Sequence, residues 1–153
     1  MPGLDKLLRG CLQYNATIKP RLVQQFREVK DHPEPKAVMF SCMDSRILIT
    51  RMMQCDVGDM VLVRNAGNLV PHSECLSYDA VTTEPGALEL GCVINDIKQV
   101  LVCGHSDCKA MNALYGMQET AHIKEGTPLQ LWLKKHGMHT IDKYRELLKT
   151  PGG

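Results

Sequence analysis

Leu4, Leu7, Leu8, Cys11 and Leu12 recur at three- and four-residue spacing, which predicts an amphipathic helix at the start of the chain. A second helix is expected after Pro20, with Leu22, Val23 and Phe26 on one face. The run Asp31-His32-Pro33-Glu34-Pro35 ends it, because a residue before proline is pushed out of the helical region. No apolar partner for this arm lies nearby in sequence, so it packs on the main body or on another subunit.

The pattern then changes. Residues 37–41 are a short continuous apolar run, consistent with a strand buried on both faces, and 60–63 and 99–103 read as the second and third strands. Between the first two, Ile47, Leu48, Ile49, Met52 and Met53 predict a short helix closed near Gly58. Residues 64–68 form a loop, and 71–79 read as irregular. A longer helix is expected over about 85–97, with Leu88, Cys92 and either Val93 or Ile94 facing inward. Gly104 stops the third strand, and 107–116 starts another helix. Beyond Gly126-Thr127-Pro128 two more helices are expected, around 129–136 and 140–148, with Thr140 able to cap the last.

Strands separated by helices define an α/β fold: a parallel sheet with helices on its faces. Right-handed crossovers restrict the strand order. With the first strand central and the others on either side, the loops after strands one and three meet outside the carboxyl ends of adjacent strands. That is the usual ligand crevice of an open α/β sheet. The chain reads as one domain, 1–153, divided into a helical arm (1–34), a core (35–116) and a helical tail (117–153).

Composition narrows the function. With 153 residues, 44% of them apolar and 23% charged, the chain is an ordinary globular domain. The net charge of +1, with no cluster of basic and aromatic residues, argues against a nucleic-acid partner. No apolar run is long enough for a membrane span, and residues 1–30 lack the uninterrupted apolar core of a secretory signal. Seven cysteines, an odd number, fit a reducing intracellular setting with some thiols binding metal. Lys6, Arg9, Lys19, Arg21 and Arg27 against the single Asp5 read as a basic amphipathic helix or a weak mitochondrial transit segment. The expected compartment is therefore mitochondrial or cytoplasmic.

The chemistry concentrates in two stretches, Cys42-Met43-Asp44-Ser45-Arg46 and Cys103-Gly104-His105-Ser106-Asp107-Cys108, each following an apolar run. Two thiolates and an imidazole, from Cys42, His105 and Cys108, favour zinc and leave a fourth position open. His105 and Cys108 are close enough in one strand-to-helix turn to reach one ion, and a helix N-terminus there favours the thiolate form. Asp44 and Arg46 can point to one side of their loop, where a bidentate pair fixes the carboxylate and keeps it ionised. A thioredoxin-like site is excluded, since no two cysteines are separated by two residues.

Cys42-Met43-Asp44-Ser45-Arg46 and His105-Ser106-Asp107-Cys108 resemble the C-x-D-S-R and H-x-x-C motifs of the beta-class carbonic anhydrases. Residues 63–68 and 84–89 also look like family sequence, and the run from Pro35 to about Leu114 is most similar to the animal members. The resemblance implies reversible hydration of carbon dioxide to bicarbonate and a proton by hydroxide held on zinc. Cys42, His105 and Cys108 would be the ligands. Asp44 would be switchable, on the metal in a closed state and paired with Arg46 in an open one, so that Asp44 and Arg46 act in catalysis. It also implies a homodimer or higher homo-oligomer, in which the partner helps build the cleft. A related activity, such as carbon disulfide hydrolysis, would use the same site. Two departures stand out. Pro33 occupies the position where many plant-type members carry a substrate-binding glutamine. Family members also usually continue through one or two further strands, so the sheet is expected to be short of the family's last strands and the tail truncated. A zinc-binding or dimerising fragment with impaired catalysis is the alternative reading.

Overall fold

The computed structural model describes residues 2–78, 81–117 and 126–150. Helix α1 (Pro2–Gln13) runs through a π-helical turn (Tyr14–Ile18) into α2 (Lys19–Asp31). The pattern predicted both helices. The wider turn at Tyr14–Ile18 joins them into a nearly continuous arm whose termination at Asp31 follows the proline-rich segment. None of the described residues of this arm is buried, and Leu7 and Leu12 are 67% and 69% exposed.

The sheet has three parallel strands in the order β2-β1-β3, with β1 (Ala37–Cys42) between β2 (Met60–Asn65) and β3 (Val100–Cys103). All six residues of β1 are buried, as an apolar run flanked on both edges requires. The outer strands are more open, and Val102 of β3 is 56% exposed. Register places Cys42 beside Asn65 and Ser41 beside Cys103, so the three carboxyl ends lie together.

Two buried clusters support that end of the sheet. Val38 and Phe40 meet Ile97, with Val61, Val63, Leu88 and Cys92 packed around them. Cys42 and Cys108 belong to the second cluster, with Leu69, Ala110, Leu114, Leu133 and Ile141. Helix α3 (Ile49–Met52) is a single turn buried at Ile49. Helix α4 (Thr83–Leu88) continues into a π-helical turn, Glu89–Ile94. The expected inward positions split there. Leu88 and Cys92 face the core, whereas Val93 and Ile94 are 74% and 66% exposed. The π turn shifts the helical phase and brings Gly91 against Val38, where a Cβ would sit 2.4 Å from Val38 Cγ2. Residues 71–78 are mostly irregular around a 3₁₀ turn at Ser73–Cys75; Asp79 lies outside the described residues.

Helix α5 (Lys109–Gly116) packs against α6 (Pro128–Leu148). The two expected terminal helices are one. Gly137 does not break α6, because Leu114 packs over it and a Cβ there would lie 2.5 Å from Leu114 Cδ2. The cap is correspondingly at Thr127 and not at Thr140. Thr127 and Gln130 form a reciprocal capping box, with Pro128 at the first turn.

Candidate metal centre

Cys42 ends the central strand, and His105 and Cys108 lie in the turn between β3 and α5. Asp107 takes a left-handed conformation, φ 53°, which folds that turn tightly enough for both donors to face Cys42. The ligand atoms of Cys42, His105 and Cys108 all lie within 4.8 Å of one another. The two Sγ atoms are 3.7 Å apart, against about 3.8 Å for two thiolates at opposite ends of a tetrahedral edge around zinc. Both cysteines are nearly enclosed, 4% and 3% exposed.

The imidazole is also set for a metal. His105 Nδ1 lies 2.9 Å from the Ser106 carbonyl, an arrangement that places the proton on Nδ1. Nε2 is then a bare lone pair, buried and without a hydrogen-bond partner among the described residues. A backbone carbonyl holding the second ring nitrogen is the usual support of a metal-binding histidine. Donor type, spacing and tautomer thus fit a zinc ion.

In the metal-free protein the two thiols differ. Burial raises Cys42, but the His105 ring and the backbone N–H groups of Asp44 and Gly67 outweigh it and bring the thiol down to about 7. Burial pushes Cys108 up, and the neighbouring Cys42 adds to this, although the N–H groups of Ala110 and Met111 pull the other way. The helix N-terminus therefore does not make Cys108 the readier thiolate. That role falls to Cys42. His105 is raised, chiefly by Cys42 beside it.

Asp44 is held by Arg46. Its Oδ1 accepts from the Arg46 backbone N–H at 2.9 Å and from Nε at 3.0 Å, and Oδ2 accepts from Nη2 at 2.8 Å. The pairing holds the Asp44 carboxyl well below the usual carboxylate range. Arg46 also donates to Asp107, to Oδ2 through Nη1 and to the carbonyl through Nη2, and so ties the first motif to the second.

Two supports were not assigned from the sequence. Arg64 donates to the Cys42 carbonyl through Nε and Nη2 and to the Asp44 carbonyl through Nη2, at 2.7–3.1 Å. Its place at the end of β2, beside the end of β1, was the available signal. Asn65 is held at Nδ2 by buried Glu84 Oε1, at 2.9 Å, and its side chain also bonds both backbone groups of Leu69. Of the two histidines that the sequence offers as proton shuttles, each reading better as an ordinary exposed histidine, His72 is exposed and contacts Glu74 and His139; His122 lies outside the described residues.

A cleft of 450 Å³ is lined by Asp44, Ser45 and Arg46 of the first motif and by Lys109, which follows Cys108. A second cleft, of 820 Å³, is lined by residues including Pro71, Leu76, Pro85 and Cys92 and shares no lining residue with it.

A parallel three-stranded α/β protein with two cysteines and a histidine at its strand ends, beside a carboxylate–guanidinium pair, defines a zinc-site protein of the switch-point class. The family model described as carbonic anhydrase matches residues 37–150, and the chain belongs to the carbonic anhydrase family. It is 47% identical to beta carbonic anhydrase 1 of Caenorhabditis briggsae over 149 residues, 95% of this chain and 55% of that protein. The corresponding Caenorhabditis elegans protein is 46% identical with the same coverage. The chain therefore spans about half the length of these relatives. Among solved structures, the beta-carbonic anhydrase CcaA superposes with a TM-score of 0.77 at 27% identity, covering 95% of this chain and 64% of that one.

Proposed function

We propose that the chain catalyses the reversible hydration of carbon dioxide to bicarbonate and a proton, as a zinc-dependent carbonate dehydratase. The observation that carries this reading is the convergence of Cys42, His105 and Cys108 beside the Asp44–Arg46 pair. Bound zinc supplies Lewis acidity at neutral pH, an effect already established for carbonic anhydrase.

The chain's own residues supply the rest. Cys42, His105 and Cys108 would hold the ion from one strand end and one turn, a rigid frame. Asp44, kept ionised by Arg46, has no proton to donate, so each of its oxygens acts only as an acceptor. An acceptor fixed in this way takes a hydrogen bond from the attacking oxygen and turns its lone pair toward the carbon of carbon dioxide. Arg64 keeps the Cys42 and Asp44 backbones in place through three hydrogen bonds and acts by positioning. While Arg46 engages both oxygens of Asp44, that carboxylate is not free to serve as a further donor beside Cys42, His105 and Cys108.

The exposed leucines of α1 support association of two or more copies, since an amphipathic helix with no apolar partner gains stability from a second surface. Stopped-flow hydration of carbon dioxide by the zinc-loaded chain, with Cys42→Ser as control, tests the reaction. A bound zinc with no rate above buffer overturns it.

A further inference from the structure

The cleft lined by Asp44 and Arg46 has a charge that the two motifs do not account for. Four side chains line it: Asp44, Ser45, Arg46 and Lys109. Arg46 is already committed. Its guanidinium makes two hydrogen bonds to Asp44 and two to Asp107, which leaves little of the fork for a further anion. Lys109 makes no ion pair or side-chain hydrogen bond among the described residues. It is exposed, and it follows the donor Cys108 directly in the chain.

An unpaired ammonium and a hydroxyl beside a carboxylate that can only accept hydrogen bonds make a specific set. It suits a small anion that also carries one O–H: the anion's oxygens take bonds from Lys109 and Ser45, and its hydroxyl donates to Asp44. Bicarbonate has that composition. Nitrate, planar and of similar size, has the charge but no proton to give. Carbon dioxide is uncharged and gains little from the ammonium.

We propose that Lys109 is the bicarbonate-recognising residue of this site, holding the anion in the cleft it shares with Asp44 and Ser45. The inference rests on the carbon dioxide–bicarbonate reading above and extends it to a residue outside the metal-binding motifs. Recognition here means that Lys109 sets how tightly the anion is held, while the donors and Asp44 set the chemistry. Because the equilibrium constant ties the two directions together, a loss of bicarbonate affinity is read as binding and not as a one-way change in kcat/KM.

The test uses the full zinc-loaded chain and its Lys109→Gln and Lys109→Arg variants. Sodium bicarbonate and sodium nitrate are titrated separately by calorimetry at constant ionic strength, and zinc content is measured in each protein. Lys109→Gln is expected to weaken bicarbonate about fivefold, the scale of one partly exposed charge pair, with zinc content unchanged. Lys109→Arg is expected to restore most of the affinity, and nitrate to bind the parent chain more weakly than bicarbonate. Unchanged bicarbonate affinity in Lys109→Gln, or no bicarbonate binding to the parent chain, overturns the role of Lys109. Lys109-dependent binding without carbon dioxide hydration leaves this inference standing and overturns only the reaction.

Discussion

The Sγ atoms of Cys42 and Cys108 lie 3.7 Å apart although 66 positions separate the two residues in the chain. Nothing local brings them together. One closes the central strand, and the other begins the helix after the neighbouring strand. Their approach is set by the parallel register of β1 and β3, so the metal site and the sheet are one structural unit.

Removing either thiol is therefore expected to empty the site. Cys42→Ser or Cys108→Ser should weaken zinc binding by more than about tenfold, since even supporting residues around a metal cost that much. Metal analysis after dialysis against a weak chelator checks this. Retention of one zinc per chain in both variants would show that the ion binds elsewhere.

The lowered Cys42 thiol predicts a pH dependence. Its folded value of about 7 lies below the ordinary 9.0, so the thiolate stabilises the metal-free fold fully above the unfolded value. That contribution is lost as pH falls through about 7. The denaturant midpoint of the metal-free protein should rise between these two pH values, and thiolate absorbance should titrate in step. Cys42→Ser should flatten both curves.

The grip of Arg46 on Asp44 gives a third expectation. Arg46→Gln removes the bidentate donor and should let the Asp44 carboxyl rise toward the ordinary range, as followed by carboxyl resonances in an NMR titration. In the parent protein the pairing is fully present above the unfolded carboxylate value, and it is lost only as pH falls through the depressed folded value. Activity should drop by roughly 10²-fold, the scale of losing an oriented electrostatic group, with zinc content unchanged.

Gly137→Ala tests why α6 is unbroken. The added methyl would meet Leu114, a fully buried side chain, and overpacking should cost about 1–3 kcal/mol by denaturant unfolding. Gly10→Ala is the counterpart, because nothing lies within 4 Å of that position. There a better helix former should be neutral or stabilise by up to about 1 kcal/mol.

The exposed face of α1 leads to a measurement of mass in solution. Replacing Leu7 and Leu8 with serine should shift an assembled chain toward the monomer at micromolar concentration while leaving the sheet intact. An unchanged mass by light scattering would place the association surface elsewhere.

Much of this protein was legible in the order of its residues. Three apolar runs separated by helical patterns were enough for a parallel α/β sheet, and the structure has the central first strand on which the meeting of the two motif loops depended. The spacing of Cys42, Asp44, Arg46, His105 and Cys108 was enough for a zinc-type donor set. These signals are local: apolar runs, motif spacing and proline placement act within a few residues. The tertiary structure alone decided what depends on distant neighbours. Leu114 packs over Gly137 within one helix where two were expected, and the π turn after α4 turns Val93 and Ile94 outward. Arg64 becomes a brace for Cys42 and Asp44 only once β2 is paired with β1. Which thiol ionises first was likewise beyond the sequence, because burial and neighbouring dipoles are properties of the folded site and not of the residue.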